Sequence, residues 1–431
     1  MNILMVSNVF TPQIGGVTRS IQQFCEEFRS QGHRVLVIAP RYQEAQENED
    51  DVIRVPAIPN FYLNQYSLPL PVFSTLIPEV RNFRPEIVHV HHPFLMGSVG
   101  LQIAADQNIP LVYTHHTRYS VYIETKTDWP SFVEEGLLEL IVGFCELCDG
   151  VVAPSAGIQD LLRQNGITAR IEVIPTGVDL QRFAHVSSAT LRQRLALPEN
   201  AFIVGHVGRL SPEKNTSFLT QAVAAFLKDN PVAEFVVVGD GPDRENMEIL
   251  LLQEGLSDRC HFLGFLEGDE LADAYAGFDV FAFASHSETQ GMVITEAMAA
   301  GTPVVAVNAT GVCDVIVDGV NGRLIPRDDI AAFAEGLKSI SVMGDQEFAG
   351  WRQRALQSAQ EMSQLACTIQ MLNLYSELIA GPRSTPANEW ERLQQRWEAR
   401  WRLWRLRVRA MGVAARKTLS PPDEPRSMPG D

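Results

Sequence analysis

Four charged side chains in the second half of the chain have the types and spacing to hold a phosphorylated ligand. Arg209 and Lys214 stand five positions apart in GRLSPEK, and Glu288 and Glu296 stand eight apart in ETQGMVITE. An Arg guanidinium forks onto two phosphate oxygens and a Lys ammonium acts as a point charge. Carboxylates alone would repel such a ligand, so Arg209 and Lys214 are the cations that Glu288 and Glu296 require beside them.

The elements around these residues decide whether they can meet. Asp279 to Ala284 is a short apolar run of strand length, and Gly291 to Ala300 is helix-rich sequence closed by Gly301, with Pro303 barring its continuation. Strand, loop and helix in that order place Glu288 on a loop and Glu296 on the second helical turn. Such loops lie at the carboxyl ends of strands in parallel sheets, where ligands bind, and the following helix offers unpaired N–H groups to an anion. Arg209 and Lys214 follow another apolar strand, Phe202 to Val207, and reach the same crevice if the two strands share a sheet. Alternating strands and helices run through both halves, from Asn2–Ser7 and Arg34–Ala39 to the helical stretch Ile330–Leu378. Between Asp51 and Pro85 prolines break the pattern, and FYLNQYSLPLPVF reads as an irregular loop or part of an acceptor or membrane surface.

Composition narrows the class. The chain has 431 residues, 45% apolar and 20% charged, enough for two or three globular domains. A net charge of −17 argues against nucleic acid as a partner. Six scattered cysteines form no disulfide framework, and Cys145 and Cys148, expected on a helix Gly136–Cys148, read as buried thiols rather than a redox pair. Met1 to Pro12 is a strand pattern without a basic leader, and no run reaches the ~20 apolar residues that cross a bilayer. His89, His91, His92, His115 and His116 invite a zinc reading, but no Glu or Cys completes a ligand spacing; a polar cleft floor fits better.

Taken in order, Gly15-Gly16-Val17, Ile174-Pro175-Thr176-Gly177-Val178-Asp179, Arg209 with Lys214, and Glu288 with Glu296 before Ala-Met-Ala-Ala-Gly-Thr-Pro carry a resemblance. The chain resembles glycosyltransferase family 4, from the opening strand to about Leu378. That implies an α/β chain of GT-B fold, with two Rossmann-like domains facing each other across a cleft. Residues 1–180 would form the acceptor side, with residues 360–380 crossing back onto it, and residues 181–359 would bind a nucleotide-sugar donor. The implied chemistry is retaining glycosyl transfer without cofactor or metal. Asp240 and Asp243 look superficially like the metal-binding Asp-x-Asp of the GT-A class. His116, Glu288, Arg209 and Lys214 carry over as catalytic. Gly16 would let backbone approach the diphosphate, and Leu266 would give a backbone contact to the base. Thr289 and Gln290 would hold the sugar, and Gly291, Met292 and Val293 would offer N–H groups to phosphate. Glu296 would bind the ribose hydroxyls. Met96, Gly97, Arg118, Tyr119 and Tyr122 would line the acceptor entrance.

HPFLMG, YTHHT and ETQG look most like the bacterial diacylglycerol glycosyltransferases within that family, which points to a UDP-sugar such as UDP-glucose and a lipid acceptor at the inner face of the cytoplasmic membrane. A GDP-mannose enzyme of polysaccharide assembly and a non-catalytic nucleotide-sugar sensor are the alternatives. The tail, residues 384–431, is different in kind. Residues 390–417 hold eight Arg and one Lys against two Glu, a net +7 that leaves −24 on the rest of the chain. Trp390, Leu393, Trp397, Trp401, Trp404, Val408 and Met411 share one helical face, which reads as a basic amphipathic helix for an anionic membrane surface, or as a docking seam.

Overall fold

The computed structural model describes residues 1–13, 15–42, 49–62, 66–70, 76–117, 131–382 and 401–408. Runs such as RVLVIAP are too continuously apolar for a strand with one wet face, and they lie in a sheet covered on both sides. In chain order the first strands are β1 (Asn2–Val6), β2 (Arg34–Pro40), β3 (Val52–Val55), β4 (Ala57–Tyr62) and β5 (Tyr66–Pro69). There follow β6 (Ile87–Val90), β7 (Leu111–Thr114), β8 (Gly150–Ala153) and β9 (Ile171–Val173). Seven of these build a parallel sheet in the order β3-β2-β1-β6-β7-β8-β9, in which Met5 of β1 stands between Val37 and His89. Strand order reverses beside β1, so the loops after β1 and β6 diverge and open a crevice.

The second sheet repeats the plan. It contains β10 (Phe202–Val207), β11 (Ala233–Val238), β12 (Cys260–Gly264), β13 (Val280–Phe283), β14 (Val304–Val307) and β15 (Gly322–Ile325), ordered β12-β11-β10-β13-β14-β15. Its reversal falls between β10 and β13, the two strands whose following loops carry Arg209, Lys214 and Glu288, with Glu296 on the helix after β13.

Three local readings change. The proline-broken segment is not wholly irregular, because β4 and β5 pair as an antiparallel hairpin. A two-stranded ladder has only edges, so Pro59 and Pro69 cost it little. The helix expected over Gly136–Cys148 runs Ser131–Cys145, which leaves Cys148 beyond its end. Burial still pushes the Cys145 thiol up to about 12, so it is not a thiolate at neutral pH. The long helical stretch is three helices, Ile330–Ser341, Asp345–Glu361 and Gln364–Ala380.

The last of these crosses onto the first sheet. Cys367, Met371, Leu374 and Tyr375 are buried against Ile3, Met5, Phe24 and Phe28. Burying Met371 and Leu374 stabilises this docking by about 2 kcal/mol each. Where the chain passes between the two bodies, Val178 N–H donates to Met362 and Gln364 N–H to Val178, both at 2.9 Å. Gly177 fits this double crossing with φ +86°, and a Cβ there would stand 2.7 Å from Gln364 Cα. Gly177→Ala is therefore expected to destabilise the protein by at least about 2 kcal/mol, from a left-handed backbone plus a clash with main chain that cannot swing aside. An unchanged urea midpoint would contradict this.

Within residues 401–408 the tail helix has two apolar faces where the sequence reading expected one. Leu403 is buried in the first core with Phe144 and Ile141, and Leu406 packs beside it. Trp401, Trp404 and Val408 stay exposed.

Candidate active site

Because β10 and β13 are direct neighbours, the loops at their carboxyl ends emerge side by side. Lys214 Nζ donates to Glu288 Oε1 at 2.5 Å, which joins the two sequence segments at one point. Arg209 is exposed on the same side and has no hydrogen bond or ion pair among the described residues. Its loop is fixed from behind by main chain: Leu210 N–H donates to Asp240 O, and Asp243 N–H to Leu210 O, both at 3.0 Å. The carboxylates of that turn are taken up by donors of the protein itself. Asp240 accepts from Gly241 N–H at 2.8 Å and Asp243 from the Thr216 hydroxyl at 2.5 Å.

The helix Met292–Ala299 begins at Gly291, and no side chain caps it, so the N–H groups of Met292 and Val293 point out of its open end. The loop before it is supported by a residue the sequence reading passed over. Gly311, with φ +77°, lies so close beneath that a Cβ would stand 2.7 Å from the Thr289 carbonyl carbon. Gln290 Oε1 accepts from Thr176 N–H at 2.8 Å, which ties the loop to the interdomain passage. Leu266 is buried in the second core, so only its backbone is left to touch a ligand.

The facing wall comes from the first sheet. Gly16 opens the helix Gly16–Ser30 in open space, again with no side-chain cap. One turn later Arg19 Nη1 donates to Glu296 Oε1 at 2.7 Å, while the Tyr275 hydroxyl donates to Oε2 at 2.8 Å. Burial, reinforced by the Glu296 charge, pushes the Tyr275 phenol well above its usual range and keeps it a donor. A single ion pair thus sets the first turn of one helix against the second turn of another, so that two uncapped N-termini converge. Neither Arg19 nor Tyr275 was singled out from sequence. Arg19 had a signal, three residues after Gly16; Tyr275 is a core aromatic until the fold is known.

His116 sits between the walls. Its carbonyl accepts from Thr289 Oγ1 at 3.2 Å and its Nε2 lies 2.9 Å from His91 Nδ1. His91 stacks on His89, whose ring nitrogens meet the Tyr375 hydroxyl at 2.5 Å and Thr114 Oγ1 at 2.6 Å. Burial first, and neighbouring imidazoles second, hold His91 and His116 well below the ordinary imidazole range, so both are neutral at pH 7. The nitrogens that suggested zinc are occupied by protein partners in His89 and His91, whose Nε2 faces Met5 Sδ at 3.3 Å. Arg118, Tyr119 and Tyr122 lie outside the described residues.

This geometry has relatives. The model for "Glycosyltransferase Family 4" matches residues 14–182, and that for "Glycosyl transferases group 1" matches residues 187–354. An alpha-monoglucosyldiacylglycerol synthase of Streptococcus pneumoniae is 30% identical over 337 residues, 75% of this chain and 75% of that protein. The chain belongs to glycosyltransferase family 4. A GDP-mannose-dependent alpha-mannosyltransferase of Mycobacterium tuberculosis is 32% identical over 339 residues, 76% of this chain and 84% of its own. The crystal structure of Anabaena HepE in complex with UDP superposes with a TM-score of 0.71 at 24% identity, covering 87% of this chain and all of that one. The fold of this glycosyltransferase is GT-B, and its two matched segments fall on the two sheets described above.

Proposed function

We propose that this family 4 glycosyltransferase moves a hexose, glucose from UDP-glucose in the first instance, onto the hydroxyl of a lipid acceptor such as diacylglycerol. The reaction retains anomeric configuration and takes place at the inner face of the cytoplasmic membrane, where the chain is peripheral. One observation carries the reading: Arg209, the Lys214–Glu288 pair and two uncapped helix N-termini converge beside His116. A diphosphate held there meets positive potential from four directions, and that potential matters most as the leaving group takes up charge.

In the reaction the bond between anomeric carbon and diphosphate oxygen breaks, a bond to the acceptor oxygen forms, and the hydroxyl proton passes to the departing diphosphate. Arg209 and Lys214 stabilise the charge on that diphosphate. Glu288 and the Thr289-Gln290 backbone hold the sugar, and Glu296, orientated by Arg19 and Tyr275, meets the ribose hydroxyls. His116 is neutral and acts through hydrogen bonds, one ring nitrogen being engaged by His91. The lipid acceptor is supported by the synthase resembled at 30% identity. GDP-mannose as donor is the second reading, favoured by the mannosyltransferase at 32%.

Because side-chain cations serve the leaving group, transfer is expected to survive EDTA; loss restored by Mg²⁺ or Mn²⁺ would count against this assignment. The function itself is tested by incubating purified protein with radiolabelled UDP-glucose or GDP-mannose and diacylglycerol in mixed micelles. A glucosylated lipid is expected. Transfer from GDP-mannose alone, or to no lipid at all, would overturn the reading.

A further inference from the structure

The tail helix offers a surface that catalysis does not use. Residues 401–408 read WRLWRLRV, and at about 100° per residue Leu403 and Leu406 stand opposite the centre of the face formed by Trp401, Trp404 and Val408. The leucine face is a mount. Leu403 is only 7% exposed, and Leu406 sits over Gly143 so closely that a Cβ there would lie 2.0 Å from its Cδ1. Arg407 Nη2 adds a hydrogen bond to Ser98 Oγ at 3.3 Å. The opposite face has nothing over it among the described residues. Trp401 and Trp404 are 53% and 52% exposed, with their rings stacked at 4.7 Å, and Val408 is 40% exposed.

We infer that this outward face is the membrane-contacting surface of the enzyme, and that its partner is an anionic lipid bilayer. Two paired indoles beside arginines match the headgroup region, where the rings sit at the apolar boundary and guanidinium groups reach lipid phosphates. Charge complementarity selects the anionic bilayer over a second copy of this chain. Residues 390–417 carry +7 in sequence while the rest of the chain carries a net −24, so this segment is the chain's strongly basic stretch. An a/d seam in a second copy would instead call for carboxylates to pair the arginines, and this segment holds only Glu391 and Glu398.

The mount also fixes which part of the enzyme meets the membrane. Ser98 lies in the first turn of the helix Met96–Gln107, at the carboxyl edge of the first sheet. That turn presses on His92, since a Cβ on Gly97 would stand 2.1 Å from the His92 carbonyl oxygen, and neighbouring His91 bonds His116. The anchor is therefore mounted on the same domain, and beside the same strand end, as His116. This rests on the lipid-acceptor reading for its purpose, but not for its test.

The full chain is floated with vesicles of phosphatidylcholine, with and without phosphatidylglycerol. Wild-type protein is expected to float with anionic vesicles and to be released by high salt. Trp401→Ser/Trp404→Ser is expected to lower the bound fraction about tenfold while leaving UDP affinity unchanged, and Arg405→Glu to weaken the preference for anionic vesicles. Leu406→Asp is expected to leave flotation intact but to reduce transfer to vesicle-borne acceptor more than transfer to acceptor in detergent micelles. Flotation unaffected by the tryptophan substitutions overturns the inference. So does a wild-type dimer that becomes monomeric in that variant with no change at vesicles. Protein that floats but glycosylates no lipid leaves the anchor standing and removes the acceptor reading.

Discussion

Lowering the pH from 7 to 5 is expected to unfold the first of the two domains at a much lower urea concentration, and the cause is its buried imidazoles. His89, His91 and His115 are at most 4% exposed. Burial lowers His89 to about 3 and His115 to about 4, and lowers His91 well below the ordinary value with help from the neighbouring imidazoles of His89, His116 and His92. Their unfolded counterparts titrate near 6.5. Between those values the unfolded chain binds protons that the folded chain refuses, so stability is complete above about pH 6.5 and falls as pH drops toward 4. Each histidine contributes about 1.4 kcal/mol per pH unit in that window. His89 and His115 together cost about 4 kcal/mol by pH 5, and His91 adds to it in the same direction, against the roughly 5–15 kcal/mol that holds a domain together. Urea titrations followed by circular dichroism at pH 7.5, 6 and 5 measure it. A first midpoint that does not move would mean the imidazoles gain protons while still folded. His115→Gln is expected to make the dependence shallower by one proton.

Removing either member of the Lys214–Glu288 pair is expected to cost at least about a hundredfold in turnover, the size seen when one preorganised charge or donor leaves an active site. On the proposed reading Lys214→Ala takes a cation from the departing diphosphate, and Glu288→Ala removes the proposed sugar contact together with the partner that holds Lys214. Neither variant is expected to unfold. The pair lies in loops beyond the strand ends, with side chains 26% and 16% exposed, so removing one partner takes away no core packing and is expected to cost about 1–3 kcal/mol, short of the margin that holds a domain. Turnover of purified protein and its urea midpoint separate the two effects. Near-normal turnover in either folded variant would remove that residue from the machinery.

Both predictions depend on placements that the chain reveals unequally. Local sequence determined the repeating strand and helix units, because continuous apolar runs closed by Gly and Pro leave few other options. It also determined that Arg209, Lys214, Glu288, Glu296 and Gly16 belong to loops and helix starts, since those residue types follow strand ends at the spacing an anion site needs. It did not determine their partners. The Lys214–Glu288 contact spans 74 positions and the Arg19–Glu296 contact 277, so each exists only because β10 lies beside β13 and the two bodies close on one another. Tyr275 and Gly311 carry no local signal beyond being aromatic or small, and the histidines at the strand ends are legible as a polar cleft floor while their stacking and pairing, His89 on His91 and His91 to His116, are not. For the tail helix, periodicity located the tryptophan face, but a second face exists only because Gly143 leaves space for Leu406 and the first core receives Leu403. Backbone preference and apolar pattern act over a few residues and are written along the chain. Charge pairing and close packing act across space, and only the tertiary structure decides them.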